Sequence, residues 1–326
     1  MVQILGKEVG ATGFGLMGLT WREQVPSLDE AIATMKAALE NGMLLWSAGE
    51  FYGTPEYNSM TILKAYFTKY PEDADRVVIA VKGGIDPVTH KEDGSAEGTR
   101  RSIQNILGQL GATKKLDIWI PARRDPKVPL AETFAAAQEF IDAGQLGAVA
   151  LSEVNAGTLR EGVEAAKLAL CEVELSMFSP DILRNGVAKI CAENNVPVMA
   201  YSPVGRGLLT GRFTESNPFV GYIGTYPRLQ GENFKHNLKL VEQTKAFAEK
   251  KGCTPAQLAI AWVRAQSERA GNPPIIPIPG STTVPRVEEN ARVIDLSEEE
   301  MEELTTLVDG FQTAGERYPD SVRSNT

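Results

Sequence analysis

The sequence predicts an α/β fold in which eight parallel strands close into a barrel, and three observations support this. Short, almost continuously apolar runs recur along the chain, which is typical of parallel strands buried on both faces. Amphipathic helical segments separate these runs, as in successive right-handed βαβ units. The length of 326 residues suits one barrel domain, 1–326, that includes insertions and a polar tail at 313–326.

The predicted strands are short apolar runs, most of them rich in β-branched residues. In chain order they lie at 14–17, 43–46, 77–81, 116–120, 148–151, 170–173, 196–201 and 274–278. A doubly wound open sheet uses the same alternation and is the main alternative. The segment 2–13 precedes this series and contains turn-forming glycines, so we expect a hairpin that plugs the bottom of the barrel.

Residues that begin and end helices are also visible in the sequence. Ser27 with Glu30 three residues later has the pattern of a capping box, and Thr254 followed by Pro255 opens a later helix. Two stretches lack this regularity. The glycine- and aromatic-rich stretch 211–236 predicts a long functional loop after the seventh strand, and the polar tail at 313–326 is expected to be poorly ordered.

The composition argues against several classes of function. The net charge of −9 disfavours a nucleic-acid binder, because phosphate binding needs clustered Lys and Arg. No apolar run approaches the roughly 20 residues that span a bilayer, and no secretion signal is evident. Cysteines and histidines are few and scattered, so neither a disulfide framework nor a metal site is expected; they are Cys171, Cys191, Cys253, His90 and His236. We expect a cytoplasmic protein, monomeric or weakly oligomeric, with no membrane or nucleic-acid partner.

The ends of the strands carry the candidate chemistry, because barrels build active sites from the loops that follow their strands. Tyr52 follows the second predicted strand and Lys82 follows the third, so the two should meet at one mouth. A phenol has a pKa of about 10, and a nearby ammonium lowers it. Such a tyrosine could protonate a carbonyl oxygen. Taken alone the pair is weak evidence, since a Tyr and a Lys at strand ends are more often packing or surface residues.

Two later loops have the features of phosphate-binding sites. The stretch 201–211 follows the seventh strand, and its glycines allow close backbone approach and an anion-binding nest of amides. The stretch 278–286 follows the last strand and opens a helix, with hydroxyl groups and Arg286 near the helix start. Barrels often bind phosphate after their seventh and eighth strands, so the two loops together predict a phosphate-containing ligand.

In their order and spacing, these motifs resemble the aldo-keto reductases over nearly the whole chain. The matching motifs are Gly49-Glu50-Phe51-Tyr52-Gly53, Val81-Lys82-Gly83, Leu116-Asp117-Ile118, Leu151-Ser152-Glu153, 201–207, and 279–281 through Glu289-Asn290. The resemblance implies a (β/α)8 barrel that binds NADPH without a Rossmann fold and reduces a small-molecule aldehyde.

The resemblance also implies roles for individual residues. Tyr52 corresponds to the general acid and Lys82 to the group that lowers its pKa, and Ser47 could hydrogen-bond Lys82. The implied cofactor-binding residues are Ser152, Glu153 and Glu172 at the nicotinamide carboxamide, Tyr201 on the nicotinamide ring, Ser202, Pro203, Val204, Gly205, Arg206, Gly207 and Leu209 at the pyrophosphate, and Gly280, Ser281, Arg286, Glu289 and Asn290 at the adenosine end.

Aromatic residues near the strand ends suggest a substrate pocket for a flat ring. Trp21 and Trp119 could line it beside Tyr52, ordinary barrel packing being the alternative. Arg123 could reach this pocket or pair with an acid on the surface. We therefore take Trp21, Tyr52, Trp119 and Arg123 as the candidate substrate-binding residues.

Several positions depart from the family pattern. Ser47 replaces a catalytic Asp and adds no negative charge, and Ala122 replaces a His and cannot donate a hydrogen bond to a substrate. Glu153 and Glu172 stand where the family commonly has Asn and Gln. Gly280 stands where some members have a Lys, which weakens the implied preference for NADP over NAD.

The departures at positions 47 and 122, together with the surrounding motifs, resemble the fungal pyridoxal reductases, which also lack the His. The motifs are Trp46 followed by a small polar residue, 49–55, Val81-Lys82-Gly83-Gly84, Ala122-Arg123 with Asp125, and Leu151-Ser152-Glu153-Val154. The implied reaction is reduction of pyridoxal to pyridoxine. Pyridoxal has a phenolic hydroxyl ortho to its aldehyde, and this hydroxyl could donate internally to the carbonyl oxygen in place of the imidazole. A generalist aldehyde reductase, or an NADPH-binding regulatory or redox-sensor subunit with little turnover, stays open, although the retained Tyr-Lys pair favours catalysis.

Overall fold

The computed structural model describes residues 2–87, 89, 91–269, 271–319, 322 and 324, apart from the side chains of Tyr222 and Glu268. Within these ranges the strands are β1 (Gln3–Ile4), β2 (Lys7–Glu8), β3 (Phe14–Gly15), β4 (Leu45–Gly49), β5 (Val78–Gly83), β6 (Leu116–Pro121), β7 (Leu146–Ser152), β8 (Leu168–Glu174), β9 (Val198–Tyr201) and β10 (Ile275–Pro277). The helices are α1 (Met17–Thr20), α2 (Leu28–Glu40), α3 (Ser59–Lys69), α4 (Ala96–Leu110), α5 (Leu130–Asp142), α6 (Ala156–Ala165), α7 (Val187–Glu193), α8 (Gly221–Gly224), α9 (Gly231–Lys251), α10 (Pro255–Ala265), α11 (Val284–Ala291) and α12 (Glu298–Gly310). None of these helices is both long and apolar enough to cross a membrane. His90 lies outside the described residues.

Eight of the strands form one parallel sheet that closes into a barrel. Neighbouring strands pair in chain order from β3 to β10. The ring closes between the first and last strands, where Gly13 N donates to the Pro277 carbonyl at 2.9 Å and Gly15 N donates to the Pro279 carbonyl at 3.3 Å. This closure confirms the predicted barrel and excludes the open sheet, which would leave both edge strands unpaired.

The hairpin of β1 and β2 plugs the bottom of the barrel, as predicted. Leu5 and Gly6 form its turn with positive φ values of 51° and 75°. Ile4 and Val9 are buried among apolar residues that point into the barrel. The strand members of this cluster, which we call the lower layer, are Leu45, Val78, Ala80, Ile118, Ile120, Ala150, Leu170, Met199, Ile276 and Ile278.

A larger apolar layer lies between the barrel and its helices. Because successive strand residues point to opposite faces, Trp46, Ile79 and Trp119 point outward and are fully buried in this layer. Ile103 and Ile106 of α4 pack into the same layer from the helix side. Burial of both sheet faces explains why the strands are apolar almost without interruption.

The predicted capping residues fix the starts of two helices. At α2 the Ser27 hydroxyl accepts from the Glu30 amide, and the Ser27 amide donates to the Glu30 carboxylate at 2.8 Å. Thr254 and Gln257 make the same reciprocal pair at α10. Each pair satisfies two amides that the helix leaves without a partner.

A long loop follows β9, as predicted, but it ends earlier than the sequence suggested. The predicted loop extended to His236, whereas α9 already begins at Gly231. The buried face of α9 includes Phe234, Leu240 and Val241, so its apolar spacing starts inside the aromatic-rich stretch. Glycine and aromatic content hid that helical spacing.

The expected disorder of the polar tail is wrong for its described part, 313–319, which we call the C-terminal segment. The Thr313 hydroxyl donates to the Phe178 carbonyl at 3.1 Å, and Arg228 Nε donates to the Gly315 carbonyl at 3.0 Å. The Asn237 side chain bonds both the amide and the carbonyl of Ala314, each at 2.9 Å. Hydrogen bonds with Phe178, Arg228 and Asn237 therefore hold a segment that has few apolar residues.

Candidate active site

The inward-facing residues change from apolar to polar at the carboxyl ends of the strands. A two-residue step along a strand stays on the same face, so the residues that follow the lower layer by one such step also face inward. They are Ser47, Lys82, Ala122, Ser152, Glu172, Tyr201 and Gly280. We call them the upper layer; they lie at the end of the barrel where barrel enzymes place their chemistry.

Three members of the upper layer form a buried cluster, which we call the Lys82 cluster. Lys82 Nζ donates to Ser47 Oγ at 2.8 Å and to Glu172 Oε1, and Ser47 Oγ donates to the same carboxylate oxygen at 3.0 Å. The exposed fractions are 3% for Ser47, 5% for Lys82 and 2% for Glu172, so the ion pair is shielded from water. Glu172 comes from β8, on the far side of the barrel from Lys82 on β5.

The Glu172 carboxylate keeps the Lys82 side chain charged. Burial is the largest single influence and lowers the pKa of Lys82, but the facing Glu172 carboxylate and Tyr52 together raise it, and the net pKa lies above its usual value. Lys82 is therefore a fixed positive charge at the mouth at neutral pH.

The loop after β4 holds Tyr52 next to this charge. Glu50 anchors the loop to α4, accepting from Ser102 Oγ and from Asn105 Nδ2, both at 2.6 Å. Burial raises the pKa of Glu50 above its usual value. Gly53 has φ +117°, and a Cβ there would lie 2.3 Å from the Tyr57 carbonyl oxygen, so only glycine fits this turn.

The structure brings Tyr52 and Lys82 together, with the Lys82 ammonium 5.4 Å from the centroid of the Tyr52 ring. The direction of the pKa shift differs from the expectation. Burial raises the pKa of Tyr52, the Lys82 charge lowers it and the Glu172 charge raises it, and the net pKa lies above its usual value. The expected net lowering is wrong because it left out burial and Glu172. Tyr52 is thus a protonated hydroxyl at neutral pH.

The candidate substrate residues divide into three that reach the mouth and one that does not. The Trp21 ring lies 5.4 Å from the Tyr52 ring, centroid to centroid, and is 46% exposed, so it borders the mouth. Burial lowers the pKa of Arg123, but Tyr318, Tyr201, Glu153 and Tyr52 raise it to a net value above the usual one, which places the guanidinium near these groups at the mouth. Trp119 is wrong as a pocket residue: it points outward, is fully buried, and donates from Nε1 to Ser102 Oγ on α4 at 3.1 Å.

A second set of buried charges surrounds Tyr201. The Tyr201 hydroxyl donates to Glu153, and Arg317 of the C-terminal segment pairs with both Glu153 and Glu174. Burial opposes the charged form of Glu153, but Arg317, the Tyr201 hydroxyl and Arg123 together outweigh burial, and the pKa of Glu153 is lowered. Burial also raises the pKa of Tyr201 well above its usual value. Ser152 is buried one residue before Glu153.

The first part of the loop after β9, 202–211, has a tight backbone and one charged side chain. Gly205, Arg206 and Gly207 all have positive φ. The Gly205 and Gly207 amides donate to the carbonyls of Ser202 at 2.9 Å and Val204 at 3.0 Å, so they are not free to form the expected anion nest. Arg206 pairs with Glu174 at 3.3 Å. The other predicted residues of this loop, Pro203 and Leu209, are buried beneath it.

The loop after β10 is smaller. Ser281 is buried and accepts from Asn290 Nδ2 at 2.9 Å, which joins the loop to α11. Arg286 and Glu289 lie half-buried on α11, and Gly280 is exposed. The structure thus brings Ser281 and Asn290 together and leaves Arg286 near the start of the helix.

Comparison with known proteins identifies the family. The model of the aldo/keto reductase family matches residues 11–309. The chain belongs to the aldo/keto reductase family. It is 37% identical to "Probable pyridoxal reductase 2" of Schizosaccharomyces pombe, over 98% of this chain and 97% of that protein. It is 34% identical to a protein of Saccharomyces cerevisiae provisionally named a pyridoxal reductase, over 94% of this chain and 95% of that one.

The solved structures agree on the fold. The glycerol dehydrogenase AKR11B4 of Gluconobacter oxydans superposes with a TM-score of 0.81 at 22% identity, over 95% of both chains. Aldo/keto reductases are oxidoreductases that act on small-molecule carbonyl compounds with a nicotinamide cofactor. The site lies at the end of the barrel where such an enzyme requires it.

The residues present fit a nicotinamide dinucleotide in two respects. Glu172 Oε2 is buried and has no hydrogen-bond partner among the described residues, so it is an acceptor that a carboxamide NH2 would satisfy. Around Tyr201 three arginines face two carboxylates, an excess of positive charge that suits a pyrophosphate; they are Arg123, Arg206 and Arg317 against Glu153 and Glu174.

Three residues of this site were missed in the sequence. Arg317 carries two of the buried ion pairs, and the Tyr318 hydroxyl lies 2.8 Å from that of Tyr201. Both stand in the tail that composition assigned to disorder. Glu174 follows Glu172 by two residues and therefore faces inward as well, so strand alternation alone could have found it.

Proposed function

We propose that the protein reduces pyridoxal to pyridoxine, with hydride from NADPH and a proton from Tyr52. The observation that carries the proposal is the position of the Tyr52 ring, whose centroid lies 5.4 Å from the buried Lys82 ammonium at the mouth of the barrel. The raised pKa of Tyr52 supports a hydroxyl that still has its proton. This pair has a proton to give and a positive charge to stabilise the group that has given it.

The chemical step follows from these two groups. When bound, a reduced nicotinamide would supply hydride to the aldehyde carbon. Tyr52 donates its proton to the carbonyl oxygen, which becomes the hydroxyl of a primary alcohol, and the Lys82 charge stabilises the tyrosinate that remains. Solvent then returns a proton to Tyr52. The Trp21 ring packs against one side of the Tyr52 ring.

Pyridoxal as substrate is supported by what the site lacks. Ala122 holds the upper-layer place that the resemblance gives to a His, and its methyl group cannot donate a hydrogen bond. A substrate that carries a hydroxyl ortho to its own aldehyde makes that donor unnecessary. The similarity to two fungal proteins named as pyridoxal reductases supports the same compound.

NADPH, rather than NADH, is supported by the end of the last strand. Arg286, two residues into α11, would place a guanidinium near the adenosine ribose, where NADPH alone has a phosphate. The Ser281 hydroxyl would add a second contact to that phosphate.

Loss of NADPH absorbance with a panel of aldehydes tests the proposal. We expect turnover to be fastest with pyridoxal and to fall about 10²–10⁴-fold in Tyr52→Phe, which keeps the ring and removes the proton. Bound NADPH without turnover of any aldehyde would favour a redox sensor. Equal turnover across the panel would favour a generalist reductase.

A second substrate comparison tests the role of the ortho hydroxyl. We expect kcat/KM for 3-deoxypyridoxal to be lower than that for pyridoxal by about tenfold, the worth of one hydrogen bond to a developing charge. Equal values would reject that role and leave the reductase activity itself unaffected.

A further inference from the structure

We propose that Glu172 supplies, from the opposite side of the barrel, the negative charge that fixes and holds the Lys82 ammonium beside Tyr52. Glu172 is then a positioning residue that acts through Lys82, and it takes the place of the carboxylate that Ser47 lacks. The predicted effect on catalysis rests on the proposed function, whereas the predicted effect on the charge of Lys82 does not.

One carboxylate oxygen of Glu172 holds the Lys82 ammonium. Oε1 accepts from both Lys82 Nζ and Ser47 Oγ, so a single atom closes the Lys82 cluster. Ser47 Oγ in turn accepts from Lys82 at 2.8 Å, so a carboxylate at position 47 would meet the same ammonium. The negative charge can therefore stand on either strand and reach the same partner.

The second oxygen remains available for another donor. Glu172 Oε2 is buried without a partner among the described residues. A glutamine could fill that accepting role equally well, because its amide oxygen also accepts. A role in holding the cofactor carboxamide therefore does not require a charge at position 172, whereas holding Lys82 does.

The charge of Glu172 matters because the Lys82 cluster is shielded from water. With Glu172 ionised and Lys82 protonated, the cluster is neutral, and removing a proton from Lys82 or Tyr52 leaves a net buried negative charge. With a neutral residue at position 172, the same proton loss removes a net positive charge and becomes easier. The first deprotonation of the Lys82–Tyr52 pair should then move to lower pH, whichever group loses the proton.

Among the described residues, Glu172 and Arg123 are the charged groups that act most strongly on the Lys82–Tyr52 pair. Tyr52 comes from the loop after β4, and Arg123 from the loop after β6 interacts with Tyr52. Cys171, beside Glu172, points outward into the layer under the helices.

The experiment compares Glu172→Gln with Ser47→Asp/Glu172→Gln, which returns a carboxylate from the other strand. We expect the alkaline limb of kcat/KM to fall by about one pH unit or more in Glu172→Gln and to return toward the wild-type position in the double variant. We expect Kd for NADPH to change by less than about threefold in Glu172→Gln, because an acceptor is kept.

Thermal unfolding gives a readout that needs no turnover. In Glu172→Gln, Lys82 is buried without a countercharge, so its pKa in the folded protein should lie below its pKa in the unfolded chain. At pH values between these two, the unfolded chain binds more protons than the folded protein does, and stability therefore rises with pH. We therefore expect the loss of Tm to be larger at about pH 7 than at about pH 9.5.

Glu174→Gln is the matched control for the unfolding measurement. Glu174 is buried two residues further along β8, but its ion-pair partners are Arg206 and Arg317, and it also accepts from Ser179 Oγ at 3.2 Å. Arginines do not titrate in this pH range. The loss of Tm in Glu174→Gln should therefore be the same at both pH values.

The possible results distinguish the charge role of Glu172 from the proposed function. A Glu172→Gln protein with an unmoved alkaline limb, or with a Tm loss independent of pH, would overturn the charge role. So would failure of both position-172 variants to fold, which would make Glu172 a packing residue. Absence of aldehyde turnover in the wild type would reject the proposed function, while the unfolding data would still decide the role of Glu172.

Discussion

Two layers fill the interior of the same barrel, one inward step apart, and they are built differently. The lower layer, closed by Ile4 and Val9, contains only apolar side chains. The upper layer holds the Lys82–Glu172 ion pair and the Tyr201 hydroxyl on the continuation of the same strands. The change from one composition to the other marks the boundary between the part that stabilises the fold and the part that acts.

The energetics of the two layers should differ accordingly. Each apolar residue of the lower layer gains free energy from burial, and its loss leaves a cavity. A buried ion pair gains little net stability, because the desolvation of both charges offsets their attraction. Charges in the upper layer are therefore explained by chemistry and not by stability.

The largest expected effect comes from making the upper layer resemble the lower one. The triple variant Ser47→Ala/Lys82→Met/Glu172→Leu removes all three polar members of the Lys82 cluster, so no buried donor or acceptor of the cluster is left alone. We expect activity to fall by at least about a hundredfold, since Tyr52 loses the charge that stabilises its tyrosinate. We expect Tm to stay the same or rise. A clear loss of Tm would show that the cluster stabilises the fold.

The converse change weakens the lower layer. Leu170→Ala lies one inward step before Glu172, and Leu170 is fully buried. We expect the free energy of unfolding to fall by about 3 kcal/mol in urea denaturation, from lost burial and the remaining cavity. Activity per folded molecule should stay close to wild type. A large loss of kcat in a folded variant would mean that the layers are not separable.

A smaller effect is expected where the C-terminal segment enters the upper layer. Arg317→Gln leaves Glu153 without its main countercharge, and we expect a loss of about 2 kcal/mol at neutral pH. In the wild type the lowered pKa of Glu153 contributes stability that is present above its unfolded pKa and lost as pH falls. In the variant, burial raises that pKa against only the Tyr201 hydrogen bond and the Arg123 charge, so the pKa of Glu153 should lie higher than in the wild type and the unfolding deficit should shrink as the pH falls toward about 4.5. A deficit independent of pH would assign the loss to packing.

Much of the fold could be predicted because it depends on local pattern. Strand and helix alternation, the capping pair at Ser27 and the hairpin before the first strand are all readable within short windows. The start of α9 was misplaced because the apolar spacing around Phe234 overlaps an aromatic-rich loop. The C-terminal segment was misjudged because its order comes from single hydrogen bonds, such as that from Arg228 to Gly315, which no local pattern encodes.

The candidate site could be predicted in part. Alternation along each strand puts Ser47, Lys82 and Glu172 on the inward face, but it does not say that side chains from β5 and β8 meet across the barrel. The same alternation places Trp119 outward between Ile118 and Ile120. Its assignment to the pocket was based on its aromatic side chain, although its position along the strand already predicts an outward orientation. The pKa of Tyr52 depends on a balance of burial and opposing charges, which requires the assembled site.

Transfer of a labelled hydride tests the central claim most directly. NADPH carrying deuterium at the transferable position of the nicotinamide should yield pyridoxine with one deuterium on the new hydroxymethyl carbon. Tyr52→Phe should form that product about 10²–10⁴-fold more slowly while binding NADPH as the wild type does. Unlabelled product, no product from the wild type, or an undiminished rate in Tyr52→Phe would contradict the account of a phenol and an ammonium acting together at the mouth of the barrel.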